Sequence, residues 1–264
     1  MLAWSINLFR VFGIRLAVHF TFLLLVAYAV WAGWQENPTD HWMGMAVDIV
    51  LIVLLFTCIV LHELGHSLMA RRYGIGVSRI LLLPIGGMAE FDSIPREPRQ
   101  ELLISLAGPA VNFAIVLILL LFVPWPKDWH SETLEFNPRG LGDLLLRINL
   151  IMGTFNLLPV FPMDGGRIFR AILATRFSYL RATFWAATVG KVLGVAAAIC
   201  FAIVWKNPIA VALFLFIMFA GDIEYRAVRQ RERQAAQWNN LIRGLYGPSG
   251  GTGATPADLL HGPN

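Results

Sequence analysis

Charge is what this sequence has least of. Only 14% of its 264 residues are Asp, Glu, Lys or Arg, against 57% hydrophobic, and the mean hydropathy is +0.62. That balance excludes an ordinary soluble domain and implies an integral membrane protein. Cysteine is nearly absent too. Cys58 and Cys200 are the only two, and both fall inside apolar runs, so no disulfide framework exists and no redox compartment follows from them. No internal repeat is evident. MLAWSINLFRVFGIR at the N-terminus lacks a small-residue cleavage site after its apolar run, so the first apolar stretch reads as a retained span rather than a removed signal peptide.

Apolar stretches long enough to cross a hydrocarbon layer of roughly 30 Å lie at about 18–34, 43–70, 102–123, 143–162, 182–205 and 208–221. Six spans are expected. The fourth carries Arg147 near its start and the sixth is short, so five spans with a re-entrant piece is the alternative count. Basic residues are lopsided about these spans: sixteen of the 21 Lys and Arg, including Arg71, Arg72, Arg167, Arg170 and Arg226, fall on one side. The positive-inside rule then places both termini in the cytoplasm, with the cell (inner) membrane as the location. The net charge of +4 is explained by topology and by contacts to anionic headgroups, with no nucleic-acid partner.

Against that apolar background, LLFTCIVLHELGHSLMARRYG at 54–74 is costly. Ionisable groups inside a span are expensive and by default functional. His62 and His66 are four apart, so on a helix they project from one face a turn apart, the spacing at which two imidazoles reach one metal ion. Glu63, about 100° round the helix, is placed to act as general base in the pattern H-E-x-x-H. A catalytic zinc needs a third protein ligand. The acidic residues in or beside spans are Asp48, Asp143, Asp164, Asp222 and Glu224. Of these, Asp164 stands in NLLPVFPMDGGRIFRAIL, where Pro159, Pro162, Gly165 and Gly166 present a carboxylate from irregular backbone. The competing role for Asp164 is the cap of a helix beginning near Gly166.

These residues resemble the site-2 proteases, intramembrane zinc metalloproteases. HELGH at 62–66 and N-x-x-P-x-x-P-x-D-G-G from Asn156 to Gly166 carry the resemblance, supported by LLLPIGGMAEF at 81–91 and SLAGPAVNF at 105–113. It implies one zinc held by His62, His66 and Asp164, Glu63 as catalytic base, and Asn156 as a polar group near the scissile peptide. It also implies that the region of Gly86 and Gly87 enters the membrane as a short hairpin whose edge pairs with substrate. The implied activity is intramembrane cleavage of a membrane-protein substrate, a membrane-tethered regulator of transcription. The chain looks like a minimal form, without room for a PDZ insertion between spans or a cystathionine-synthase-like pair after span six.

The fold expected is therefore an all-α polytopic membrane protein of about six transmembrane helices with a short re-entrant β-hairpin. Residues 1–222 would form the metalloprotease domain, 223–246 a basic amphipathic cytoplasmic segment, and 247–264 a disordered tail rich in Gly and Pro. Several residues keep two readings. The stretch 81–91 is a hairpin or a plain loop. Asn112, one turn beyond Gly108, serves substrate binding or ordinary helix packing. His19 reads as an interfacial histidine, and Cys58, one turn before His62, as a core residue or a fourth ligand. A zinc carrier or sensor is the alternative function, although a carrier has no need for Glu63.

Overall fold

The computed structural model describes residues 4–36, 41–84, 86–93, 95, 97–125, 138–204 and 206–246. The tail expected at 247–264 lies outside the described residues. The order of elements is β1 (Ser5–Val11), β2 (Ile14–His19), α1 (Phe20–Glu36), α2 (His41–Arg72), β3 (Val77–Leu83), β4 (Gly86–Phe91), α3 (Pro98–Leu119), α4 (Pro138–Asn156), α5 (Asp164–Ala174), α6 (Tyr179–Ile203) and α7 (Pro208–Tyr246).

Four of these helices are long and apolar enough to cross a membrane: Trp42–Arg72, Pro98–Leu119, Tyr179–Ile203 and Pro208–Gly244. Phe20–Gln35 is a shorter apolar helix. Helix α4, where a fourth span was expected, carries Arg139, Asp143 and Arg147 in its first half. Asp143 and Arg147 pair across one turn at 2.7 Å, which lowers the cost of holding either near lipid. Lys191, within the fifth expected span, forms an ion pair with Asp222 of α7. The apolar part of α7 and the basic stretch that follows are one uninterrupted helix.

The sheet is larger than the hairpin expected from the sequence. Four strands run in the order β1-β2-β3-β4, with β1 antiparallel to β2, β2 parallel to β3, and β3 antiparallel to β4. Residues 5–19 were not anticipated as strands. Phe12 and Gly13, both at positive φ, make the two-residue turn between Val11 and Ile14, the geometry that matches strand twist. Alternate residues Ile14, Leu16 and Val18 of β2, with Ile80 and Leu82 of β3, bury one sheet face against Phe56 and Leu64 of α2. The stretch 81–91 is a β-hairpin, not a loop, with Leu82 opposite Gly87 and Leu81 opposite Met88. Two hydrogen bonds from Arg79, 2.8 and 2.9 Å, clamp β3 to Glu90 of β4 and hold that carboxyl below its ordinary range. This packing fixes the sheet across one side of α2 and leaves the histidine stripe for α3.

Candidate metal centre and active site

Two elements converge on one point. His62 and His66 project from the C-terminal half of α2, and Asp164 opens α5 after the irregular stretch 157–163. Both histidines and the aspartate are buried. His62 Nε2 and His66 Nε2 are 3.1 Å apart, and Asp164 Oδ2 lies 3.2 Å from the first and 3.1 Å from the second. The N-cap position of α5 belongs to Met163, and Asp164 is the first residue of the helix. Its Oδ2 faces both imidazoles.

The donor set fits a zinc ion. His66 Nδ1 is 2.7 Å from the carbonyl oxygen of Ile104, which only accepts, so Nδ1 carries the proton and Nε2 presents a lone pair. His62 Nδ1 lies 2.6 Å from Asn112 Oδ1 and behaves alike. Two imidazole lone pairs and a carboxylate oxygen facing one another within 3.2 Å repel unless a cation sits between them. Tetrahedral zinc with bonds of about 2.0–2.1 Å requires ligand separations of roughly 3.3 Å, close to those found. Among the described residues, His62, His66 and Asp164 form the group able to hold a metal.

Close approach of α3 makes this possible. A Cβ at Gly108 would meet His66 Nε2 and Cε1 and lie 2.8 Å from His62 Nε2, so only glycine lets that helix cover the site. One face round on α2, Glu63 Oε2 accepts from the Ala89 backbone N–H at 3.2 Å. Gly87 brings β4 onto the same side chain, since a Cβ there would fall 2.7 Å from Glu63 Cγ and 2.9 Å from Ile59 Cγ2. Glu63 therefore lies against strand β4, on the helical turn that carries the two histidines.

The remaining expected residues are placed as follows. Asn112 is fully buried behind His62 rather than on an open surface. Asn156, at the end of α4, donates to the carbonyl of Met152 four residues back. Cys58 is buried on the histidine stripe, where its sulfur accepts from Asn149, and it is not in the metal group. His19 ends β2 and its Nδ1 is 2.8 Å from Thr21 Oγ1.

A second buried cluster went unread in the sequence. Arg170, counted there among topology-setting arginines, is 2% exposed. Its guanidinium binds Glu101 of α3 and Glu224 of α7 and lies over the rings of Phe161 and Tyr179 at 5.1 and 4.9 Å. It ties α5, and hence Asp164 at its start, to α3 and α7. The sequence offered the acids Glu101 and Glu224 beside spans, but nothing local pairs Glu101 with a residue 69 positions on.

The chain matches the Peptidase family M50 over residues 50–127 and 126–197, and it belongs to that family. It is 41% identical over 85% of its length to a zinc metalloprotease of Methanocaldococcus jannaschii, and 26% identical over 73% to Stage IV sporulation protein FB of Bacillus subtilis. It spans 62% and 61% of those two proteins. A solved structure, the site-2 protease from Methanocaldococcus jannaschii, superposes with a TM-score of 0.58 at 40% identity, covering 84% of this chain and 95% of that one. Family membership and the apolar helices agree on a multi-pass membrane protein with a zinc site of the metalloprotease type.

Proposed function

We propose that this chain is an intramembrane zinc endopeptidase that cuts a transmembrane segment of a membrane-tethered substrate, by the resemblance a regulator of transcription. The observation that carries the reading is the position of Glu63. It shares a helical turn with both histidines, and its carboxylate reaches the outer strand β4 at Ala89. A zinc carrier needs ligands but has no use for a base at that place.

Zinc held by His62, His66 and Asp164 supplies polarisation of a peptide carbonyl and acidification of water. Glu63 takes the proton from the attacking water and hands it to the leaving amine. Strand β4 offers backbone groups to a substrate segment pairing in extended form. A peptide bond inside a helix is shielded by its own hydrogen bonds, so the substrate span unwinds at small or helix-breaking residues first. Asn156 leaves the Met152 carbonyl to hold the substrate backbone.

With α1 and α4 as further crossings, six spans put both termini on the cytoplasmic side of the cell (inner) membrane. His62 is nine residues before Arg71, or about 13 Å of helix, so the cut lies near the cytoplasmic face and the product leaves there. The β3–β4 hairpin dips into the bilayer at that depth.

The deciding experiment uses purified protein in liposomes with a membrane-tethered reporter. Glu63→Gln keeps its zinc and loses cleavage by about 10²–10⁴-fold. Wild-type turnover by that variant would falsify the role of base, and zinc uptake into vesicles by the wild type would favour the carrier.

A further inference from the structure

Behind His62 runs a buried chain of side chains that leads away from the metal ligands to α4. Asn112 Oδ1 faces His62 Nδ1 at 2.6 Å, and Asn112 Nδ2 donates to Asn149 Oδ1 at 2.8 Å. Asn149, on α4, donates through Nδ2 to the carbonyl of Leu145 at 2.8 Å and to the sulfur of Cys58 at 3.2 Å. Both asparagines are fully buried. Two amides linked end to end in an apolar span are costly unless each hydrogen-bonding group is used.

The orientation of an amide is ordinarily ambiguous, because its oxygen and nitrogen look alike. Here one group removes the ambiguity. The Leu145 carbonyl only accepts, so Asn149 must present Nδ2 to it, which leaves Oδ1 for Asn112. Asn112 must then present Nδ2 to Asn149 and Oδ1 to His62. An oxygen at that place accepts, so His62 carries its proton on Nδ1 and keeps the Nε2 lone pair for the metal. Flipping Asn112 would set its oxygen against Asn149 Oδ1, and flipping Asn149 would set its oxygen against the Leu145 carbonyl.

We infer that Asn149 is a positioning residue for the metal centre: through Asn112 it selects the tautomer and ring orientation of His62. The inference rests on the zinc site described above. It links α4 and α3 to the ligand helix α2, so the relative seating of three helices is read out as one proton position. Such outer partners are worth about 10–100-fold in metal affinity.

The test is a pair of zinc titrations against a competing chelator, on full-length protein in detergent. Asn149→Leu weakens zinc binding about 10–100-fold. In an Asn112→Asp background, a carboxylate accepts from His62 in either orientation, so adding Asn149→Leu there costs less than about threefold. An equal loss in both backgrounds overturns the inference, since it would mark Asn149 as packing alone. A second readout needs no variant: ¹⁵N-histidine spectra of zinc-free wild type, at a pH above the histidine range, show His62 protonated on Nδ1, and a proton on Nε2 overturns the relay. Wild-type protein that binds no zinc would instead overturn the metal site itself, and the inference with it.

Discussion

The backbone N–H of Ala89 donates to Oε2 of Glu63 across 26 residues of sequence. Because β4 is one of the two outer strands of the sheet, one backbone group joins the proposed base to the edge on which a substrate strand would pair.

That contact makes the β4 edge testable by backbone alone. Proline placed singly along 85–90 removes a donor without adding charge. Cleavage of the reporter falls for the variants that take a needed N–H, Ala89→Pro among them, while metal analysis shows zinc retained. If every variant kept both full activity and full metal, pairing on this edge would be wrong.

Metal content should follow the three ligands. Purified wild type holds about one zinc per chain, and chelation abolishes cleavage until zinc is restored. His62→Ala combined with Asp164→Ala lowers occupancy to background. Full occupancy in that double variant would exclude the assignment.

Two glycines separate metal from chemistry. Gly108→Ala drives a methyl group into the His66 ring and close to His62 Nε2, so zinc and activity are lost together. Gly87→Ala meets Glu63 Cγ and Ile59 but touches no ligand, so zinc stays and turnover falls by about tenfold or more, a shift of roughly 1.4 kcal/mol in barrier. Reporter cleavage falls in both variants, and zinc titration separates them if the site is built as described.

The Arg170 cluster carries stability rather than chemistry. Arg170→Leu leaves the buried Glu101 carboxylate without its cation and costs about 3–5 kcal/mol. Glu224→Gln costs about 1 kcal/mol or less, because that side chain is 32% exposed. Thermal unfolding midpoints in detergent order the variants, and a smaller loss for Arg170→Leu than for Glu224→Gln would contradict the clamp.

What the sequence determined by itself was set by local spacing. The four-residue interval from His62 to His66 dictates a shared helical face, apolar length dictates the long helices, and Pro159 and Pro162 dictate an irregular stretch before Asp164, although Asp164 itself opens the regular helix α5. Gly86 and Gly87 between apolar residues allowed a hairpin. The N-terminal strands were not legible. Residues 14–19 become a strand because Leu16 and Val18 find Ile80 and Leu82 in parallel register, some sixty residues away. Asn112 could be read as a polar residue in a span but not as the partner of His62, and Asn149 or Arg170 carried no local signal at all. Only tertiary structure decided those roles, because a hydrogen bond or ion pair in a low-dielectric interior depends on which helices pack together, whereas helical periodicity depends only on the chain beside it.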